Sequence, residues 1–215
     1  MRCQTHARWQ RTSSSKWAEL PIAVEMMPAG GSRLPAYLSI NPHGKVPALQ
    51  LADPLRILTE AIAILPYLAE LAPAARLGGM NAIEHARVAE ALGFMIGEVH
   101  SDWGPHFAPQ RFLLDPSGYA ELERVTFERL KPQYAFLDGM IGTAPWLLFG
   151  RRTIADAYLY MLTRTAGLMP GALKPFTNLA AFRARMERDP GVIAALAEQA
   201  AISCSAGEVV LADNA

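Results

Sequence analysis

The 215-residue sequence predicts a small α/β unit joined through a linker to an all-helical bundle. Three observations predict it. Up to residue 72 the apolar stretches are short, mixed in type and punctuated by Pro and Gly. The run "APAARLGGMN", which ends at residue 81, has the small-residue composition of a linker. Beyond it, apolar residues recur at helical spacing to about residue 200. The expected organisation is therefore 1–72, a linker 73–81, a helical domain 82–202, and a loose tail 203–215 with little to bury.

In chain order, "PIAVEMM" (21–27) reads as a strand and "VPALQLA" (46–52) as another. Asp53-Pro54 marks a turn, and "LRIL" (55–58) returns as a third strand, which makes the pair a hairpin. "TEAIAILPYLAEL" (59–71) carries Ile62, Leu65, Leu68 and Leu71 at helical spacing, with Thr59 as the expected N-cap. Pro66 predicts a kink or a short first turn in that helix. Further helices are expected near 82–103, 117–140, 153–168, 176–188 and 190–200, with "MPGALKP" (169–175) separating two of them. Thr153-Ile154-Ala155-Asp156 fits a capping box, which gives Asp156 a structural role as a buried, paired carboxylate.

Composition excludes several classes of function. Twenty basic and twenty acidic side chains balance, so neither nucleic acid nor an anionic membrane is an expected partner. No apolar run approaches the ~20 residues that a membrane-spanning helix needs. Cys3 and Cys204 form no CxxC pair, and the expected setting is a reducing cytoplasm. His100 and His106 have no third ligand at suitable spacing, so no metal is expected. The first sixteen residues carry Arg2, Arg8, Arg11 and Lys16 with no acid before Glu19. Such Arg- and Ser-rich starts also occur in transit peptides, but here the segment is read as part of the fold.

"INPHGKVPALQ" (40–50) poses a local problem: Pro47 cannot donate to a sheet, yet it opens a strand. Taken with "LRILTEAIAILPYLAEL", the stretch resembles the N-terminal signature of the cytosolic glutathione transferases, Asn-Pro-x-Gly-x-Val-Pro before a hairpin and a Thr-Glu-x-x-Ala-Ile helix start. "GRRTIADAYLYMLTR" (150–164) resembles that family's buried C-terminal-domain helix, and "GEVHSDWGPHF" (97–107) is similar to a segment of the bacterial beta class. The resemblance runs from about residue 20 to 200.

It implies a thioredoxin-like N-terminal domain and an all-α C-terminal domain, the glutathione transferase fold. It also implies a cis peptide before Pro47, which frees the backbone of Val46 to pair with the cysteinyl part of glutathione. Glu60 then meets the ammonium group of the γ-glutamyl residue, and the Ala61 N–H meets its carboxylate. Ala61 stands where the family more often has Ser, so the hydroxyl contact is missing. His100 matches a histidine that faces the glutathione sulfur in beta-class relatives, where an imidazole can hold a thiolate or move a proton.

The N-terminus departs from the pattern. A weak first strand is expected near residues 1–5. Without gaps, Ala7 and Arg8 fall where the beta class has its cysteine, and Cys3 lies too early. A gapped alternative makes Ser13 the counterpart of a serine-type catalyst. The resemblance implies a cytoplasmic, homodimeric detoxification enzyme that takes glutathione as co-substrate and attacks a small hydrophobic electrophile. Alternatives are a non-catalytic relative that binds glutathione or another ligand, and a glutathione-dependent isomerase or thiol-lyase.

Overall fold

The structure is a computed structural model. It describes residues 2–5, 10–28, 30–51, 53, 56–169 and 171–212, with 2–5, 10–13, 26 and 202–212 as backbone alone. The chain divides into two compact units, Met1–Gly78 with Met186–Ala215, and Gly79–Arg185.

The first unit runs β1 (Arg2–Thr5), α1 (Gln10–Trp17), β2 (Ala23–Met26), α2 (Pro35–Leu38), β3 (Ala48–Gln50), β4 (Ile57–Thr59) and α3 (Ala61–Glu70). The sheet order is β2-β1-β3-β4. Strand β1 runs parallel to β2 and antiparallel to β3, and β3 is antiparallel to β4. A parallel crossover followed by an antiparallel hairpin is the thioredoxin-like arrangement. Strand β3 begins at Ala48, immediately after the proline that has no N–H to give. At the hairpin's far end the Leu51 N–H donates to the Arg56 carbonyl at 3.0 Å, and the Arg56 N–H to the Asp53 carbonyl at 3.0 Å.

Helix α3 corrects two expectations. Thr59 is not its N-cap: it is the last residue of β4 and pairs with Ala48, and Glu60 occupies the cap instead. The buried face is Ala61, Ile64, Leu65 and Leu68, whereas Ile62 and Leu71 are each 40% exposed. Entry from β4 turns Ala61 inward, and the i, i+3, i+4, i+7 rule then selects 64, 65 and 68. Leu49, Ile64 and Leu68 form a small core with Ile22, Leu58 and Tyr67 around it. The helix passes Pro66 without a break.

In the second unit, α4 (Ala82–Phe94) begins at Asn81, whose side chain accepts the Glu84 N–H at 3.0 Å. The chain continues as a π-helical segment, Met95–His100. Short α5 (Gly104–Phe107), long α6 (Tyr119–Ile141), α7 (Ile154–Ala166) and α8 (Thr177–Met186) complete it. Helix α7 is the axis of this unit, buried on every side from Ile154 to Thr163. A helix apolar all round belongs inside a bundle.

The capping box expected at its start is present. Asp156 Oδ2 accepts from the Thr153 N–H and hydroxyl, both at 2.8 Å, while Oδ1 accepts the Leu147 N–H at 2.7 Å. Burial pushes this carboxyl up to about 6 despite its donors.

Helix α9 (Pro190–Ala212) belongs to the first unit and packs on α1. The Trp17 indole N–H donates to Asp189 Oδ1 at 2.8 Å, and that oxygen also accepts the Gly191 and Val192 N–H groups at 2.9 and 3.2 Å. One carboxylate thus caps α9 and ties it to α1. A Cβ on Gly191 would stand 2.5 Å from Trp17 Cδ1, so glycine is needed there. Helix α9 extends past the end expected near residue 200, into the span expected to be a loose tail. Among the described residues, no helix is long and apolar enough to cross a membrane.

Candidate functional site

The site grows from the loop before β3. Asn41, 2% exposed, donates through Nδ2 to the Lys45 carbonyl at 2.6 Å, and the Tyr37 hydroxyl donates to the same oxygen at 2.7 Å. Asn41 Oδ1 accepts the His43 N–H at 3.1 Å, and its carbonyl accepts the Gly44 N–H at 2.9 Å. Gly44 has φ +59°, and a Cβ there would lie 2.9 Å from the Ser32 carbonyl oxygen, so this position requires glycine. Two buried donors therefore fix the peptide on the N-terminal side of Val46. The Val46–Pro47 peptide is cis, with Val46 half-buried and Pro47 buried. Among the described residues, neither the N–H nor the C=O of Val46 has a backbone partner. That pair of groups can serve an extended peptide as a two-sided edge.

Glu60 supplies the second part. Its backbone lies at φ 65° and ψ 129°, a region that costs a non-glycine residue about 1–3 kcal/mol. The N–H groups of Ala63 and Ile64 both reach the Glu60 carbonyl, at 3.1 and 3.0 Å. Those of Ala61 and Ile62 have no partner among the described residues. Unpaired N–H groups and about half a positive charge at a helix start suit a carboxylate. The Glu60 side chain is exposed, and its carboxylate has no partner among the described residues. The pairing of Ala48 with Thr59 puts Val46–Pro47 and Glu60–Ala61 at the same end of the hairpin. A backbone edge, a helix N-terminus and a free carboxylate together fit a short peptide carrying both a carboxylate and an ammonium group.

His100 ends the π segment of the second unit, half-buried, with Nδ1 2.5 Å from the Tyr158 hydroxyl on α7. Burial lowers its pKa below the ordinary histidine value, so the ring is neutral at pH 7. His106 pairs with Glu123 at 3.0 Å. Ser13 lies on α1, and its side chain falls outside the described residues, as does that of Cys3. Ala7 and Arg8 also lie outside them. Among the described residues, no group of three or more His, Cys, Asp and Glu is placed to hold a metal ion. The second unit also contains an apolar cavity of about 490 Å³, walled by Trp103, Phe127, Tyr134, Met169 and Phe176. None of residues 41–47, 60 or 61 lines it.

Sequence reasoning missed Tyr37, Asn41 as a buried donor, and Tyr158. The Asn-Pro-x-Gly spacing gave no sign that Asn41 would be buried beneath the loop. Tyr158 lies 58 residues from His100, and no local pattern links them.

Comparison with known proteins places the chain in a family. Residues 14–76 match the family model described as the glutathione S-transferase N-terminal domain, and residues 102–199 match the C-terminal domain of the same description. The chain is 33% identical over 179 residues to the glutathione S-transferase GstA of Escherichia coli O157:H7, covering 83% of this chain and 85% of that one. A glutathione S-transferase structure from Xylella fastidiosa is 30% identical, with TM-score 0.84, covering 93% of this chain and 98% of that one. The beta-class glutathione S-transferase of Sphingomonas chungbukensis, 24% identical, shares the fold at TM-score 0.81 over 92% of this chain and 98% of its own.

Proposed function

The chain belongs to the glutathione S-transferase family, and on that premise we propose that it activates the thiol of glutathione for attack on a small hydrophobic electrophile. The observation that carries this reading is the union, at one end of the β3–β4 hairpin, of the cis Val46–Pro47 peptide with the strained Glu60 cap. In this reading the Val46 N–H and C=O pair with the cysteinyl residue. Ala61 and the α3 N-terminus receive the γ-glutamyl carboxylate, and Glu60 meets the ammonium group.

The reaction asks little more of the protein than a stabilised thiolate. The thiol gives its proton to solvent or to a base, the sulfur forms a bond to the electrophilic carbon, and the leaving group departs with its electron pair. A donor or positive charge aimed at sulfur lowers the thiol pKa and speeds the step. We assign that task to His100, with Ser13 as the alternative. The apolar cavity of the second unit supports a hydrophobic partner for the helical domain. We further propose a cytoplasmic homodimer with a role in detoxification, organised along the chain as an N-terminal glutathione-binding domain of residues 1–72 and a helical domain of 82–202, whose α9 packs back on α1.

One observation favours a second reading. The first thirteen residues precede the span that matches the family model, and the family's catalytic group is expected among them. A relative that binds glutathione without turning it over is therefore the competing assignment. Calorimetry with glutathione and a conjugation assay with 1-chloro-2,4-dinitrobenzene separate the two. Binding with conjugation supports the transferase, binding alone supports the second reading, and no binding removes both.

A further inference from the structure

His100 is held by a residue that neither the family match nor its own neighbourhood in sequence identifies. The π-helical turn from Met95 to His100 accommodates an extra residue, which rotates the next turn by roughly 100° relative to a continuous α-helix. His100 thereby meets α7, where its Nδ1 stands 2.5 Å from the hydroxyl of the buried Tyr158, with the rings tilted at 56° and their centroids 6.0 Å apart. Nε2 has no partner among the described residues.

We propose that Tyr158 is the positioning residue of His100: its O–H donates to Nδ1, fixing the neutral Nε2–H tautomer and presenting that N–H as a hydrogen-bond donor to an anion. The argument is one of donor and acceptor chemistry. A neutral imidazole carries one N–H and one lone pair, and the group bonded to one nitrogen decides which is which. A phenol gives its proton more readily than it accepts one, and an imidazole lone pair is the stronger base of the two. The short contact is therefore O–H to nitrogen, and Nε2 keeps the proton. Burial supports this by keeping the ring neutral.

The chemical consequence distinguishes two roles for His100. A general base needs the lone pair at Nε2, whereas this tautomer has a proton there. His100 then stabilises a thiolate as a donor, and the thiol proton leaves to solvent without passing through the ring. This consequence rests on the assignment of His100 to the glutathione sulfur; the tautomer does not.

The test begins on the unaltered protein labelled with 15N at histidine. Nitrogen shifts at pH 7 should report a protonated Nε2 and an unprotonated Nδ1 for His100, and the reverse assignment overturns the proposal. In Tyr158→Phe, which keeps the ring and its packing, the His100 signals should move towards a mixture of tautomers. Conjugation of 1-chloro-2,4-dinitrobenzene should lose roughly fivefold in kcat, the rate equivalent of one neutral hydrogen bond, with the KM for glutathione nearly unchanged. His100→Gln, which retains an N–H donor, should keep more activity than His100→Ala. Wild-type rates in both Tyr158→Phe and His100→Ala, with the expected tautomer observed, overturn the thiolate role and leave Tyr158 as the holder of the ring.

Discussion

Ala48 pairs with Thr59 across the β3–β4 hairpin, and that register sets the residues just outside it, Pro47 and Glu60, side by side in the sheet direction. Both have unusual backbones: the peptide preceding Pro47 is cis, and Glu60 has a positive φ. Each frees polar backbone at the same end of the sheet.

Glu60→Ala should weaken glutathione binding by about tenfold or more, since a charged hydrogen bond contributes about 1.5–3 kcal/mol. Because the side chain is exposed, the fold should be unaffected. Calorimetry beside circular dichroism checks this, and unchanged affinity in a folded variant removes Glu60 from the site.

Asn41→Ala should act on both stability and binding. It removes one of two donors to the Lys45 carbonyl and the acceptor of the His43 N–H, at a cost of about 1–3 kcal/mol. Glutathione affinity should fall with it, because the loop leading into Val46 loses its anchor. A thermal melt showing the destabilisation with affinity unchanged would mean that Val46 is positioned independently of this loop.

Asp156→Asn should destabilise the second unit by about 2–4 kcal/mol, since an amide group must face donors that a carboxylate satisfies. The pH dependence has a definite sign. The Asp156 carboxyl titrates at about 6 in the fold against an ordinary 3.8, so between those values the folded chain keeps a proton that the unfolded chain has lost. The stabilising contribution is complete below 3.8 and is lost as pH rises through about 6. Wild type should therefore gain stability over Asp156→Asn on acidification from about pH 7 to about pH 5. Denaturant titrations at both pH values check it, and a gap that narrows on acidification contradicts it.

His100→Ala should lower the conjugation rate and shift the acidic limb of the pH profile upward, because the thiolate loses a donor, leaving Ser13→Ala nearly silent. As a donor His100 keeps its Nε2–H whether the ring is neutral or protonated, so that limb reports ionisation of the thiol and not of the imidazole. Conjugation that survives both substitutions unchanged would place the chemistry elsewhere in the chain.

Sedimentation at micromolar concentration should report a dimer. A stable monomer would remove the assembly from the proposed function.

Much of the first unit was legible because its signals are local. Pro47 cannot lie inside a central strand, and Asp53-Pro54 ends one strand. In the second unit, Thr153 with Asp156 three residues later starts a buried helix in the same local way. The face of α3 was misread because residues 61 to 71 are almost uniformly apolar, so spacing alone allows more than one stripe. The direction of entry from β4 resolved the choice in favour of Ile64 over Ile62 and Leu71, with Leu65 and Leu68 on the expected face.

The sequence by itself determined the α/β-then-helical order, the proline at the site and the capping box, because backbone restriction and hydrogen-bond capacity belong to residues and their near neighbours. Only the tertiary structure decided that α9 packs with the first unit, through one carboxylate shared between Trp17 and the α9 N-terminus, across 172 residues of chain. It alone joined His100 to Tyr158 and placed Asn41 and Tyr37 on a single carbonyl. Those contacts depend on where helices and loops settle against one another, and no spacing along the chain encodes a hydrogen bond made across the interior.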